Sequence, residues 1–247
     1  FNALANSMNP LVLNALDGDD VFNFSSDAPT MTGSTADLQG LVVANGGTGE
    51  NRMNVSNTSG TAVDALIIAG NISGIGEISY TTDGDGTYDI NIWGSAEDDV
   101  FRLHSFLKDN TLNVYSLQGN DEFDIQDLSK AVVTAYGGEG DDVYTIQRIS
   151  GVSFRNLFIV DSVDAESDRV QLAGTVLNET FTITQTTFED LEVQYIGIEY
   201  FGVDGRGGDD VINVQGSPFS LYVDGGDGDD IINISSDAGV NDGDLNG

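Results

Sequence analysis

The chain has 247 residues, of which 41 are acidic and 8 are basic, so its formal net charge at pH 7 is -33. This balance effectively excludes nucleic acid as a partner, because binding phosphates needs clustered Lys and Arg, and it disfavours an anionic membrane surface. The lack of cysteine excludes disulfides and thiolate metal sites. The chain contains no run of about 18 apolar residues, so no transmembrane segment is predicted. A folded chain this acidic repels itself unless cations bind to it.

A short acidic turn followed by an alternating strand recurs along the chain. In chain order, the copies begin at Gly18 (GDDVFNF), Gly46 (GGTGENRMNV), Glu97 (EDDVFRL), Gly119 (GNDEFDI), Gly137 (GGEGDDVYTI), Gly207 (GGDDVINV) and Gly225 (GGDGDDIINI). Apolar and polar positions alternate after each turn, as in Phe22 and Phe24 around Asn23. This alternation predicts strands with one face inside the protein and the other in solvent.

The spacing of the turns predicts the fold class. Steps of about 20 to 22 residues separate Asp99, Asp121 and Asp142, and also Asp210 from Asp230. Two longer steps, from Asp20 to Asn51 and from Glu179 to Asp210, fit one coil with an insertion. A fixed repeat of turn and strand is the signature of a solenoid. We therefore expect an all-β protein, a parallel β-helix (β-solenoid) with acidic Gly/Asp turns.

A longer repeat suggests modules within one solenoid. Residues 89–105 align without gaps on residues 169–185, at an offset of about 80. We expect one continuous β-solenoid over 1–247, with modules at 1–80, 81–160 and 161–247. In the third module Asn178 and Glu179 replace the paired aspartates, so we predict that this turn has lost a metal ligand. Because the chain begins at Phe1 without an initiator methionine or signal-peptide pattern, we interpret it as a processed chain or a piece of a longer one.

The stacked turns are predicted to bind calcium. Equivalent turns of stacked coils lie about 5 Å apart, where two carboxylates repel by roughly 3 kcal/mol at an effective dielectric of about 20. Calcium between neighbouring turns reverses this repulsion and accepts irregular oxygen ligands, whereas magnesium needs a tighter octahedron and zinc needs His or Cys. The candidate ligands are Asp19, Asp20, Asp98, Asp99, Asn120, Asp121, Asp141, Asp142, Asp209, Asp210, Asp227, Asp229 and Asp230. The alternative is that these acids only form turns, which we favour for Glu97, Asn51 and the turn at Asn178.

The sequences GGEGDDVYTI, GGDDVINV and GGDGDDIINI resemble the repeats of RTX (hemolysin-type) calcium-binding proteins, which form parallel β-rolls. RTX repeats follow a period of about nine residues, whereas these turns lie about 20 apart. The longer pattern, in which a strand and the sequence GIE (197–199) lead into another strand and an acidic turn, is similar to the "beta strand repeat" segments of large bacterial surface proteins, including those of planctomycetes. The resemblance covers most of the chain except 63–80. It implies an extracellular, calcium-stabilised β-solenoid of surface layers, adhesins or other envelope structures.

Two functions are weighed. The first is an extracellular structural or adhesive surface protein (an S-layer, filament or adhesin component) without catalytic activity, which binds calcium and copies of itself or other surface proteins. The alternative is a carbohydrate-active parallel β-helix (lyase, epimerase or glycosidase), or its calcium-binding accessory module, with a polysaccharide as partner. Repeated equivalent acids favour the first, because an active site gathers unlike residues once. His104 has no placed partner, and Trp93 is expected to cap the solenoid interior.

Overall fold

The structure is a computed structural model that describes residues 1–4, 9–104, 110–126, 128, 131–149, 156–162, 167–188, 193–216 and 220–235. Every regular secondary-structure element in these ranges is a β-strand, which confirms the all-β class. Within the described ranges there is accordingly no helix with the length and apolar character needed to cross a bilayer. The strands form two large sheets whose neighbouring strands are mostly parallel.

Sheet I has twelve strands, in the spatial order β1 (Asn2–Ala3), β3 (Val21–Phe24), β5 (Glu50–Ser56), β9 (Thr87–Trp93), β11 (Thr111–Gln118), β13 (Val132–Glu139), β15 (Leu157–Val160), β19 (Val193–Ile196), β18 (Thr187–Phe188), β17 (Thr180–Ile183), β21 (Val211–Val214) and β23 (Ile231–Ile234). Sheet II has eleven strands, in the order β2 (Leu11–Asn14), β4 (Val42–Asn45), β8 (Ile78–Thr81), β7 (Asn71–Ser73), β6 (Asp64–Ile68), β10 (Val100–His104), β12 (Glu122–Gln126), β14 (Val143–Gln147), β16 (Arg169–Ala173), β20 (Tyr200–Asp204) and β22 (Ser220–Asp224).

The chain passes from one sheet to the other at nearly every strand. From β9 to β16 each strand lies in the opposite sheet to the one before it, and each of β9 to β14 pairs in parallel with the strand two places further along the chain. We call two consecutive strands, one from each sheet, a coil. Phe101 is thus paired with Phe123, and Phe123 with Tyr144. The spacing of the acidic turns therefore gives the correct pairing of strands β10, β12 and β14.

Two short antiparallel strands interrupt the parallel order. Strand β7 lies between β6 and β8 in sheet II, and β18 lies between β17 and β19 in sheet I. The expectation of parallel pairing throughout is wrong at these two places. Gly70 and Gly74, with φ angles of 80° and 84°, allow the chain to reverse on either side of β7. The first interruption falls within residues 63–80, where the repeat could not be followed in the sequence.

The acidic turns lie on two edges of the sheets. We name the loops that lead from sheet I to sheet II edge 1, and those that lead from sheet II to sheet I edge 2. Parallel strands carry all loops of one kind on the same side. The turns before β10, β12, β14 and β16 lie on edge 1, whereas those before β3, β5, β17, β21 and β23 lie on edge 2. The acidic turns therefore form two separate series, one on each edge.

Alternating side chains build the core and the outer faces. Phe101, Phe123 and Tyr144 are fully buried, and their rings stack with centroids 5.4 and 4.9 Å apart. Trp93 instead lies half-buried on the outer face of sheet I, where its ring stacks on Tyr115 with centroids 5.5 Å apart. The prediction that Trp93 caps the interior is wrong, because it occupies an outward position of β9, next to the buried Ile92.

The stacked core ring of Phe123 is expected to contribute strongly to stability. Replacing it by alanine (Phe123→Ala) removes its contacts with both neighbouring coils, and the unfolding free energy should fall by about 3–5 kcal/mol. Urea denaturation followed by circular dichroism measures this loss. The matched control is Val132→Ala on an exposed position of β13, which should change stability by about 0.5 kcal/mol or less. Equal losses in the two variants would contradict the assignment of Phe123 to the core.

Candidate metal centre

The paired acids of each turn occupy two different environments. We call the second acid of each pair the inner acid and the first the outer acid. The inner acids Asp121 and Asp142 are 1% and 0% exposed, whereas Asn120 and Asp141, the outer residues of the same turns, are exposed. The pair is thus split between the interior and the solvent, although both residues belong to one short turn.

The inner acids form a ladder of hydrogen bonds between successive coils. On edge 1 the backbone N–H of Asp99 donates to Asp121 Oδ1 (2.6 Å), and the N–H of Asp121 donates to Asp142 Oδ1 (2.7 Å). The N–H of Asp142 then donates to Asp168 Oδ1 (2.9 Å). Edge 2 repeats the pattern, from Asp20 to Asn51 (3.2 Å), from Glu179 to Asp210 (2.8 Å) and from Asp210 to Asp230 (2.9 Å). In each of these coils, one carboxylate or amide oxygen therefore accepts a hydrogen bond from the preceding coil. The donor is the backbone N–H of the residue immediately before a strand.

The outer residues form a second ladder that runs in the opposite direction. The N–H of Asn120 donates to Asp98 Oδ1 (2.8 Å), and the N–H of Asp141 donates to Asn120 Oδ1 (2.9 Å). On edge 2 the equivalent bonds join Glu50 to Asp19 (2.9 Å), Asp209 to Asn178 (2.9 Å) and Asp229 to Asp209 (3.0 Å). Each turn is consequently tied to the turn before it and to the turn after it.

The structure places the predicted ligands as follows. Buried inner acids are Asp99, Asp121, Asp142 and Asp210, half-buried inner acids are Asp20 and Asp230, and exposed positions are Asp19, Asp98, Asn120, Asp141, Asp209, Asp227 and Asp229. Asp227 differs from the others because its backbone pairs with Gly207 across edge 2. At the turn where glutamate replaces the inner aspartate, Arg148 Nε lies 3.2 Å from Glu179 Oε1. The protein therefore supplies its own cation there.

Several inner acids keep one buried oxygen without a hydrogen bond. In the turn before β10, the N–H of Ser95 donates to Asp99 Oδ2 (2.7 Å), so both oxygens of Asp99 are satisfied. The Oδ2 atoms of Asp20, Asp121, Asp142 and Asp210 are buried and have no hydrogen-bond partner among the described residues. Buried polar atoms are usually paired, so these recurring unpaired carboxylate oxygens are candidate ligand atoms for a cation.

Three buried acids meet behind the turn that precedes β14. Asp142, Asp161 and Asp168 each place an oxygen within 4.8 Å of the other two. Asp161 follows Val160, which pairs with Tyr136, so Asp161 stands at the position that Gly137 occupies one coil earlier. A Cβ at Gly137 would overlap Asp142 Oδ2, Asp161 Oδ2 and the Tyr144 hydroxyl. The space left by the absent side chain is therefore filled by three converging oxygens.

Asp161 also explains why Asp142 Oδ2 is left unpaired. The N–H of Gly138, equivalent to the Ser95 amide that satisfies Asp99, donates to Asp161 Oδ1 instead (3.2 Å). Asp161 Oδ1 further accepts the N–H of Ser162 (2.8 Å), and its Oδ2 accepts the Tyr144 hydroxyl (2.7 Å). Asp161 thus takes the donors of this region, and the second oxygen of Asp142 faces the other carboxylates.

Burial makes the ionised form of this cluster unfavourable. It is the largest cause that raises the pKa of Asp142 to about 8, and the neighbouring carboxylates of Asp161 and Asp121 add to the effect. Burial likewise raises the pKa of Asp161 to about 6. The ion pairs made by Arg52, Arg102, His104 and Arg148 do not include Asp142 or Asp161. The arrangement can therefore be stabilised by a bound cation or by a proton.

The sequence motif identified Asp142 but missed Asp161 and Asp168. The segment that contains them, DSVDAESD, lacks the Gly-Asp-Asp pattern. One signal was present, since Asp168 directly precedes the alternating residues Arg169–Ala173 of β16 as Asp142 precedes β14. Comparison of the whole sequence with protein-family models and with curated proteins finds no match. The chemistry of these residues therefore carries the functional interpretation.

The inner ladder predicts that the acceptor oxygen, and not the charge, holds the turn. Asp121→Ala leaves the buried N–H of Asp99 without an acceptor, whereas Asp121→Asn keeps one, as Asn51 does for Asp20. In metal-free buffer the alanine variant should be less stable than the asparagine variant by about 1–3 kcal/mol, measured by urea unfolding. Indistinguishable variants would show that this hydrogen bond is unimportant.

The raised pKa of Asp142 predicts a pH-dependent stability in metal-free protein. The raised pKa lets the folded state hold the proton to about pH 8, whereas an ordinary aspartate has a pKa of 3.8. The stabilisation from the neutral form is complete below the unfolded pKa and is lost as pH rises through the folded pKa. Asp142→Asn should flatten the fall in melting temperature across this window, while Glu139→Gln, an exposed acid of the same turn, should not. The same slope in both variants would refute this assignment.

Proposed function

We propose that this chain is a calcium-stabilised β-solenoid that serves as a structural or adhesive component of an extracellular surface assembly, such as an S-layer, a filament or an adhesin. The observation that carries the proposal is the recurrence of a buried, unpaired carboxylate oxygen at equivalent positions of different turns, in Asp20, Asp121, Asp142 and Asp210. Repetition suits a series of metal sites along a stack. A catalytic centre requires its special residues only once.

Calcium fits the chemistry of these turns. It takes about six to eight oxygen ligands with tolerant geometry, and a glycine-rich turn presents carbonyl oxygens beside the inner carboxylate. Gly138 adopts a φ of 106°, and a Cβ there would collide with the carbonyl of Leu117 in the preceding coil, so neighbouring turns approach closely. The Arg148–Glu179 pair supports the need for positive charge, because Arg148 places a cation beside the inner acid of the turn before β17 on edge 2.

A location outside the cell follows from the ion. Turn sites with few fixed ligands bind calcium weakly, and calcium is abundant only outside cells. The net charge of -33 also requires a supply of external cations. The last described strand, β23, leaves Ile232 and Ile234 45% and 59% exposed, and open sheet edges accept further strands. Partners that continue the two sheets, including copies of this chain, therefore suit the surface.

The described residues favour this role over a carbohydrate-active enzyme. Tyr115 stacks on Trp93 and on Tyr136 with interplanar angles of 8°, so the faces that would stack on a sugar ring are largely occupied by other rings. His104 Nε2 lies 3.1 Å from Asp124 Oδ2 on the outer side of sheet II, away from the inner acids. The outer aromatic column and this pair therefore act as further contacts between coils.

Removal of calcium is expected to soften the fold. A ligand that binds only the folded state stabilises it by about 2.7 kcal/mol for each site when its concentration is 100 times Kd. The melting temperature should therefore be higher in millimolar calcium than in chelator, with a smaller gain in magnesium. Differential scanning calorimetry measures the shift. Identical melting in calcium and chelator would rule out calcium stabilisation.

The surface role has a separate test. Sedimentation velocity of the purified chain should show larger species in calcium than in chelator, because bound ions remove the repulsion between acidic copies. Recovery of the native protein from the cell-surface fraction, and its release by chelator, should accompany this. A protein that stays monomeric in calcium and is found in the cytoplasm would contradict the proposed role.

A further inference from the structure

We propose that Asp142, Asp161 and Asp168 form a distinct, buried site that binds one hard divalent cation. The site differs from the proposed turn sites because Asp161 lies outside every acidic turn motif, at a position of the column where the adjacent coils carry glycine. It rests on the proposed function only in the choice of calcium as the natural ion. Its existence requires no surface role.

The geometry of the site matches the coordination of such a cation. Oxygens of the three acids lie within 4.8 Å of one another. Metal–oxygen bonds of about 2.1–2.6 Å place oxygens on opposite sides of a hard cation roughly 4–5 Å apart. All ligands are oxygens, so zinc and other metals that prefer nitrogen or sulfur are disfavoured. The Tyr144 hydroxyl, which is bonded to Asp161 Oδ2, completes the polar wall.

Two glycines flank Asp161 and allow its carboxylate to approach Asp142. Asp161 stands between Gly137 in the preceding coil and Gly197 in the following one, as the pairing of Val160 with Tyr136 and with Ile196 shows. A Cβ on Gly137 would occupy the space into which Asp142 Oδ2 points, and a Cβ on Gly197 would overlap the backbone carbonyl of Asp161. A larger residue at Gly137 would overlap the converging oxygens, and one at Gly197 would collide with the backbone that carries Asp161.

The charge of the site requires a positive partner. Asp142, Asp161 and Asp168 are 0%, 7% and 1% exposed, and ionised carboxylates are rarely buried without a cation or a metal. Asp142 Oδ2 is buried, has no hydrogen bond and points at Asp161. Glu179 shows the alternative solution within the same chain, since Arg148 neutralises it. The competing account is a proton shared between Asp142 and Asp161, and it predicts no bound ion.

Counting bound ions tests the proposal. The whole chain is equilibrated with calcium, freed of loose ions by rapid desalting, and analysed by mass spectrometry for metal content. Asp161→Asn should retain one ion fewer than the wild-type chain, whereas Glu139→Gln, an exposed acid of the adjacent turn, should retain the wild-type number. Equal retention in Asp161→Asn and wild type would overturn the proposal and favour the shared proton. Competition between calcium and magnesium then identifies which ion the site selects.

A second readout does not depend on the folding of an aspartate variant. Terbium(III) substitutes for calcium and is sensitised by a tyrosine that lies beside it, so excitation of the wild-type chain should give emission that Tyr144→Phe largely removes. Tyr136→Phe, on the outer face, should leave most of that emission in place. Undiminished emission in Tyr144→Phe would overturn the assignment of this site. One further outcome separates the two proposals. If Asp161→Asn retains one ion fewer but chelator does not change the melting temperature of the wild-type chain, the proposed function is refuted and the site stands.

Discussion

The architecture depends on a hydrogen-bond acceptor for the backbone N–H of the inner acid, which lies immediately before a strand at each acidic turn. Inside a sheet the neighbouring strand supplies the carbonyl, but at the turn the N–H of Asp99, Asp121 or Asp142 meets no such group. A side-chain oxygen from the next coil fills the gap, and an unsatisfied buried amide would otherwise cost about 1–3 kcal/mol. The solution brings one acid per coil out of water, and the rest of the edge is arranged around these acids.

Glycine is the packing counterpart of the inner acid. A Cβ on Gly94, Gly205 or Gly225 would overlap the Oδ2 of Asp99, Asp210 or Asp230, respectively. At these three turns the inner carboxylate packs against a residue without a side chain, whereas Ser116 stands at the equivalent position in the turn of Asp121. Asp161 is informative because it places an acid at this position, level with Gly137. It brings a second carboxylate into the glycine column, and the result is the only described group of three or more buried acids that converge on one point.

The sequence predicts the local structure well and the long-range arrangement only in part. Alternation after the acidic turns identifies the strands, and their spacing pairs β10 with β12 and β12 with β14. The antiparallel strands β7 and β18 span three and two residues, too few to show a period. The place of Asp161 depends on how β15 is aligned with β13, which no motif in its own segment encodes. The division of the turns between two edges follows from the topology of both sheets and was also beyond local pattern.

Asn51 shows that hydrogen bonding and charge are separable in this fold. Its Oδ1 accepts the N–H of Asp20 (3.2 Å), and its Nδ2 donates to the carbonyls of Gly49 (3.3 Å) and Thr87 (3.4 Å). An amide thus takes the place of a carboxylate with all its polar groups satisfied and without any counter-ion. A protein of this design can set its charge density coil by coil through Asp-to-Asn exchanges. Each such exchange removes one buried negative charge and keeps the hydrogen bond between neighbouring turns, as Asn51 does.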